Sequence, residues 1–403
     1  MHRGLAALPG VEERVRRLVA AYRSHYRADP SVVSRAPGRA ELIGNHTDHN
    51  GGEVVAAAVE LDTVVVAGPS EDRSTSHAFV PDWERDFRVD HSADRAEERH
   101  DTERLMRGVA AGLTEAGVAA PPYRAIVDST VLPGSGLSSS AAFEVALAGV
   151  HAALAGESID PMTAALAGQH AENDYMGKPS GLMDQLASAT GGLVHIDFSN
   201  RAVATRVRSE QFVQSYRLLV IDSQASHADL TANYAQIPQD MRRVADALGV
   251  GRLSELELTT FAQAQPALIG SVPERALLRA LHFFDENDRV RRFVAAAQHD
   301  DTPQLLQLLQ ASGDSSWRLL QNVHTEADEQ KLALTIELAQ RFFSAAQAQG
   351  AARVHGGGFA GTALAAVHAD DVSAFRTWMQ SWIGPDSVTE LHISPHGLVY
   401  ESL

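Results

Sequence analysis

The sequence predicts an α+β fold of two domains, and three observations lead there. A chain of 403 residues, 44% of them hydrophobic, is long enough to bury two domain cores. Strand-like and helix-like runs follow one another in mixed order, not in the strict alternation of an α/β sheet. No repeat period or low-complexity tract interrupts them. The boundary is placed near residue 200, giving an N-terminal domain over 1–200 and a C-terminal domain over 201–403.

Val11–Tyr26 is expected to be an amphipathic helix, with Leu18, Val19 and Tyr22 at helical spacing. Pro37 and Gly38 predict a turn, followed by the apolar pair Leu42 and Ile43. Residues 54–59 and 63–67 read as strands, and 82–103 as a charged surface excursion before a helix over 104–116. A strand over 123–132 is ended by Pro133, and a helix over 138–155 by Gly156. Asp160 and Pro161 form a cap and a first-turn proline, opening a helix that carries Glu172. Gly191 and Gly192 precede a strand over 193–198, and another is expected over 218–221. Helices then fill 233–346, with strand, turn and strand over 354–367 and a last helix over 372–382.

Net charge is 34 − 51 = −17, which argues against nucleic acid or an anionic membrane as partner, since both want a basic face. Cysteine is absent, so disulfides, zinc–thiolate sites and thiol nucleophiles are excluded, and a reducing cytoplasm fits. The N-terminal segment is charged and amphipathic, unlike a signal peptide, and no apolar run is long enough to span a bilayer. These features predict a soluble cytoplasmic protein with small-molecule partners. A monomer is favoured, though no feature fixes the oligomeric state.

Three segments carry chemistry. Residues 35–52 read Arg-Ala-Pro-Gly-Arg-Ala-Glu-Leu-Ile-Gly-Asn-His-Thr-Asp-His-Asn-Gly-Gly. So much hydrogen-bonding capacity between a turn and an apolar run suggests polar groups facing a ligand. Zinc is a poor reading of His46, Asp48 and His49, because Glu41 and Glu53 lie at no familiar ligand spacing.

The second segment is Pro133-Gly134-Ser135-Gly136-Leu137-Ser138-Ser139-Ser140-Ala141-Ala142, between an expected strand and an expected helix. Gly and Ser also make ordinary turns and caps. Here the glycines permit positive φ and close backbone approach, the serines add hydroxyls, and the helix start favours an anion. The loop lacks the Gly-Lys-Ser/Thr of a P-loop, and the chain's only lysines, Lys178 and Lys331, lie elsewhere. It also lacks the Gly-x-Ser-x-Gly of a hydrolase elbow. Downstream, Glu172 and Asp184 flank the turn 177–181. A hydroxyl and a carboxylate are the sparse contribution that Mg²⁺ usually takes from protein. An Asp beside Gly181, Leu182 and Met183 could accept a proton from a hydroxyl nucleophile, or simply cap a helix. The third segment, His355-Gly356-Gly357-Gly358-Phe359-Ala360-Gly361, allows a close backbone crossing.

Residues 35–52 resemble the galactokinase signature, which reads roughly Gly-Arg-Val-Asn-Leu-Ile-Gly-Glu-His-Thr-Asp-Tyr-Asn. The serine-rich loop resembles the second motif of the GHMP kinases, the small-molecule kinases that include galactokinase, homoserine kinase and mevalonate kinase. Gly181 to Gln185 matches the galactokinase pattern Gly-Ile-Met-Asp-Gln, with Leu182 in place of Ile. His227 and Tyr234, and the helical stretch 279–297, match further segments, so the resemblance runs from about Arg35 to Val367.

The resemblance implies a two-domain GHMP kinase fold, with an N-terminal domain like ribosomal protein S5 and a ferredoxin-like C-terminal domain. It implies transfer of the γ-phosphoryl of ATP to the anomeric hydroxyl of a hexose, most simply D-galactose. Asp184 would be the catalytic base and Arg39 its electrostatic partner. Ser140 and Glu172 would hold Mg²⁺. Asn45, His46, Asp48, Gly181 and Tyr234 would bind the sugar. Pro133, Gly134, Ser135, Gly136, Leu137, Ser138, Ser139, Ser140 and Ala141 would bind the nucleotide.

The chain departs from the signature at Asn45, where galactokinases carry Glu, and at His49, where they carry Tyr. A neutral Asn facing the sugar would suit a substrate with its own carboxylate, so a galacturonate kinase is the alternative on substrate. A catalytically inactive sugar sensor is the alternative on class, with the complete serine loop and Asp184 speaking against it.

Overall fold

The computed structural model describes residues 5, 8, 10–93, 98, 100–132, 134–178, 180–225, 230–323, 329–359 and 361–403. Its strands are β1 (Val32–Ile43), β2 (Glu53–Pro69), β3 (Thr75–Val80), β4 (Arg85–Asp90), β5 (Tyr123–Ser129), β6 (Leu193–Asp197) and β7 (Val203–Val207), then β8 (Tyr216–Asp222), β9 (Gly350–Val354), β10 (Thr362–His368), β11 (Val388–Leu391) and β12 (Val399–Ser402). Helices are α1 (Val11–Tyr26), α2 (Asp101–Glu115), α3 (Ser139–Ala155), α4 (Pro161–His170), α5 (Met183–Thr190) and α6 (Glu210–Ser215), then α7 (Thr231–Ala247), α8 (Leu258–Leu268), α9 (Glu274–Gln298), α10 (Thr302–Ser315), α11 (Lys331–Ala346) and α12 (Val372–Ile383). The mixed order expected of an α+β chain is what is seen. Among the described residues no helix is long and apolar enough to cross a membrane.

The large sheet runs β12–β1–β2–β5–β3–β4, with β3 and β5 parallel and the other neighbours antiparallel. The first half of β2 pairs instead with β6, which β7 flanks. The small sheet, β11–β8–β10–β9, is antiparallel throughout. The sheets therefore divide between Val207 and Tyr216, and the C-terminal strand returns to the larger one. Side chains alternate across the small sheet with the strand period of two. Leu219, Ile221, Ala363 and Ala365 face Ile336, Phe342, Phe375 and Met379 of α11 and α12. Leu218, Val220, Leu364 and Ala366 face the other way, into a core shared with Leu42, Ile43, Val55 and Val59 of the large sheet and Val290 and Phe293 of α9. That shared core holds the first and third glycine-bearing segments against each other.

Several expectations need correction. Pro37 and Gly38 do not turn the chain; they lie inside β1, where the pairing with β2 slips between Pro37 and Arg39. Proline has no N–H for the ladder, so a bulge is where a strand tolerates it. Gly38 is there because a Cβ would lie 2.9 Å from the Leu137 carbonyl and 3.1 Å from Val131. The two expected strands over 54–59 and 63–67 are one 17-residue strand, β2. The excursion over 82–103 contains β4, in which buried Phe87 and Val89 alternate with charged neighbours that hid the period. α2 begins at Asp101, three residues early, because His100 and Glu103 form a reciprocal cap.

Candidate active site

Arg39 leaves the bulge of β1 and meets Asp184 in the first turn of α5. Its Nε and Nη2 lie 2.9 and 2.7 Å from Asp184 Oδ1. The Ser138 hydroxyl donates to Asp184 Oδ2 at 2.5 Å, and Arg39 Nη1 donates to the Gly136 carbonyl. One guanidinium thus fixes both the carboxylate and the serine-rich loop. Burial alone would raise the Asp184 pKa. Arg39, the Ser138 hydroxyl and, less strongly, Lys178 outweigh it and hold the carboxyl below its ordinary value. The Asp184 side chain keeps 29% of its surface open against 6% for Arg39, so the carboxylate is the member of the pair that solvent reaches.

The loop leading into α3 takes the conformation its glycines permit, with φ of 74° at Gly134 and at Gly136; Ser138 is also left-handed at 55°. Pro133 lies outside the described residues. Leu137 O accepts from Arg39 N at 3.1 Å, which ties the loop to β1. Ser135 O accepts from Thr362 Oγ1 at 3.0 Å, and Thr362 is 3.2 Å from His355 Nδ1, which ties it to the third glycine segment. Leu137 and Ala141 are buried anchors, while Ser138, Ser139 and Ser140 are half-buried at the start of α3.

Ser140 Oγ donates to Glu172 Oε1 at 2.9 Å. Glu172 sits in the π-turn Ala171–Tyr175 that continues α4, a kind of turn often found at functional sites. A hydroxyl and a buried carboxylate side by side are hard oxygen donors, and such a sparse set fits Mg²⁺ completed by phosphate and water. Lys178 also reaches this carboxylate, with Nζ 2.7 Å from Oε1 and its backbone N–H 2.9 Å from the Glu172 carbonyl. In the sequence Lys178 stands apart from the serine-rich loop, yet it shares the Glu172 carboxylate with Ser140. The signal was Gly177, whose φ of 65° turns the chain back.

The first segment differs more from expectation. Asn45 does not face the cleft. It is fully buried, its Nδ2 donating to Glu41 Oε1 at 2.8 Å and Gly356 O at 2.7 Å. Its Oδ1 accepts from Asn322 Nδ2 at 2.8 Å and Ser316 Oγ at 3.3 Å, so no capacity is left for a sugar hydroxyl. The neighbouring residues are brought together around the glycine segment. His46 Nε2 is 3.0 Å from Gly357 O, and burial pushes its pKa down to about 4. Tyr234 packs against Gly357 and donates to Gly358 O at 3.1 Å. Asp48 lies against Gly181, where any Cβ would overlap its Oδ2. His227 and Ala360 fall outside the described residues.

Glu41 was missed as part of this network. The family signature has Asn four residues before Glu, and this chain has Glu41 four residues before Asn45, so the two side chains are exchanged. Glu41 pairs with Arg353 at 3.3 Å, both buried; burial raises the Glu41 pKa against the pull of Arg353 and Arg39. From behind, α9 holds the same segment through residues on one face. His282 Nε2 is 2.9 Å from Asn45 O, Glu286 accepts from Gly44 N at 3.0 Å, and Asn287 from Glu53 N at 2.7 Å. Burial would raise the Glu286 pKa, but His282, Arg289 and Arg353 bring it down to about 2.

Comparison with known proteins identifies the family. Residues 20–69 match the galactokinase galactose-binding signature and residues 104–192 the N-terminal domain of GHMP kinases. The chain is 34% identical to the galactokinase of Mycobacterium tuberculosis (strain H37Ra), covering 84% of this chain and 90% of that one. It is 30% identical to that of Haemophilus influenzae (strain KW20 / Rd), covering 86% and 88%. Among solved structures, the Lactococcus lactis galactokinase in complex with galactose superposes with a TM-score of 0.83 at 25% identity, covering 96% and 99%.

Proposed function

Since the chain belongs to the galactokinase family of GHMP kinases, we propose that its Arg39–Asp184 cleft transfers the γ-phosphoryl of ATP to the anomeric hydroxyl of D-galactose, giving galactose 1-phosphate. The observation that carries the site is the double grip of Arg39 and Ser138 on one carboxylate at the mouth of the serine-rich loop. Asp184, ionised and open to the cleft, takes the proton of the sugar hydroxyl. Arg39 offsets charge on the forming alkoxide, and the amides of the loop with the start of α3 receive the phosphates. Ser140 and Glu172 are the residues that would hold Mg²⁺, which when bound neutralises phosphate charge. His46, Asp48, Gly181 and Tyr234 surround the sugar. Since phosphoryl transfer passes through a loose transition state, positioning and electrostatics carry most of the rate. The division near residue 200, with β12 returned to the N-terminal sheet, belongs to the same proposal.

The galacturonate alternative rested on a neutral Asn45 against the sugar. With that side chain consumed by Glu41, Gly356, Asn322 and Ser316, the argument lapses. An ADP-release assay with ATP and a panel of galactose, galacturonate, glucose and mannose tests the reading. Release with galactose exceeding that with every other sugar is expected; equal or greater release with galacturonate would return the alternative, and no release with any sugar would favour a sensor.

A further inference from the structure

Glu144, on α3, is fully buried in the N-terminal lobe, and among the described residues no cation is in hydrogen-bonding contact with it. Gln185, next to Asp184 in the chain, is equally buried. Its Nε2 donates to Glu144 Oε2 at 3.0 Å and approaches Glu172 Oε2 at 3.4 Å. Among the described residues two atoms of this group have no partner: Glu144 Oε1 and Gln185 Oε1, both sealed from solvent. Two acceptor oxygens left bare in one buried pair are costly, because each loses its water without gaining a donor. A single proton on Glu144 removes both vacancies, because a carboxylic acid and a primary amide can close a ring of two hydrogen bonds. The pair is admitted by Gly168 on α4, where a Cβ would stand 2.8 Å from Glu144 Oε2 and 2.9 Å from Gln185 Cγ.

We propose that Glu144 is a neutral carboxylic acid that donates to Gln185 Oε1, fixing the amide so that its second N–H is aimed at Glu172, and that Glu144 is thereby a positioning residue for the reaction. The other rotamer of the amide would set Gln185 Oε1 against both carboxyl groups. Burial favours the neutral acid first, and Glu172 and Asp184 add to it; the Gln185 hydrogen bond and Lys178 oppose. Held this way, Glu172 keeps one oxygen turned to Ser140 and Lys178 and the other to Gln185. The consequence for Mg²⁺ rests on the reading of Glu172 given above; the protonation of Glu144 does not.

Three variants of the full chain test this. Glu144→Gln repeats the neutral donor–acceptor pattern, while Glu144→Leu and Gln185→Met break it. In the wild type the folded protein keeps a proton that the unfolded chain releases above about pH 4.3, so its stability falls as pH rises from there. Glu144→Gln lacks that loss. Its melting temperature should therefore gain on the wild type as pH rises above about 5. An infrared difference spectrum, wild type minus Glu144→Gln, should show the C=O band of a protonated carboxyl at neutral pH. Glu144→Gln should keep the wild-type Mg²⁺ titration, whereas Glu144→Leu or Gln185→Met should raise the half-saturating Mg²⁺ roughly 10–100-fold, the usual effect of losing a partner that orients a ligand. Gln185→Met serves if Glu144→Leu does not fold. A melting difference independent of pH together with no carboxyl band would overturn the neutral acid. A normal Mg²⁺ titration in both breaking variants would overturn the positioning role. If Glu172→Gln also titrates normally, the reading of Glu172 as a ligand falls instead, and the spectral and melting results still decide the proton.

Discussion

Arg39 Nη2 lies 2.7 Å from Asp184 Oδ1, although 145 positions separate the two residues in the chain. The contact exists because a bulged strand and the start of a short helix converge under the serine-rich loop. It makes Asp184 a carboxylate held ionised, the state a proton acceptor needs.

Asp184→Asn should therefore abolish proton acceptance while leaving the loop in place. Turnover is expected to fall roughly 10²–10⁴-fold, the worth of a general base, with ATP affinity close to wild type. Steady-state kinetics with ATP binding by calorimetry check it, and a variant retaining more than about a tenth of wild-type turnover would remove Asp184 from the role.

Arg39→Met removes the strongest of the interactions that hold the Asp184 pKa down, leaving only the Ser138 hydroxyl and Lys178 against the burial that raises it. The base then titrates at higher pH. The acid limb of the kcat/KM profile should move upward in pH relative to wild type, and kcat should fall as well because alkoxide charge is left uncompensated. An unmoved acid limb would mean that another group sets it.

Much of this site was legible in the sequence because it is local. Glycines followed by serines at a helix start announce an anion loop, and Gly181 to Gln185 could be matched directly. What stayed hidden depends on which way a side chain points. Asn45 and His46 are neighbours in one polar run, yet one is consumed inside the protein and the other reaches the glycine segment. Pro37 and Gly38 looked like a turn because composition reports a break in the ladder without distinguishing a bulge from a reversal. The strand β12 was unreadable at four residues, since what makes it a strand is pairing with β1 from the far end of the chain.

Ser140→Ala and Glu172→Gln should each raise the Mg²⁺ concentration needed for half-maximal activity, because each deletes or weakens one oxygen donor. Lys178 then loses its partner in Glu172→Gln, so that variant should show the larger shift. Activity titrated against Mg²⁺ at saturating ATP and galactose gives the answer; unchanged curves in both would place the metal on other residues.

Gly181→Ala inserts a methyl group where Asp48 Oδ2 now sits. The carboxylate must swing away, since the three atoms nearest the new methyl group beyond its chain neighbours all belong to Asp48. Sugar KM should rise while KM for ATP stays near wild type, since Asp48 is assigned to the sugar and not to the loop. Equal rises in both constants would show that the substitution disturbs the whole cleft.

The exchanged pair Glu41 and Asn45 gives the sharpest test of how this chain differs from the signature. Asn45→Glu brings a second carboxyl within hydrogen-bonding distance of Glu41, where Nδ2 now lies 2.8 Å from Oε1 and neither side chain meets solvent. It also turns an acceptor toward Gly356 O, which loses its donor. Glu41→Asn leaves the buried Arg353 without a carboxylate. Breaking a buried pair from one side typically destabilises by about 3–5 kcal/mol, and each single variant should lose stability on that scale in urea denaturation. The double exchange restores one carboxyl and one amide to the site, with Asn322 and Ser316 donating to the relocated carboxylate. It should therefore be more stable than the sum of the singles predicts, by about 0.5–3 kcal/mol of coupling. It should still fall short of wild type, because no donor returns to Gly356 O and Arg353 sits nearer to position 41 than to position 45. Strictly additive losses would show that Glu41 and Asn45 act separately and that the exchange has no structural logic.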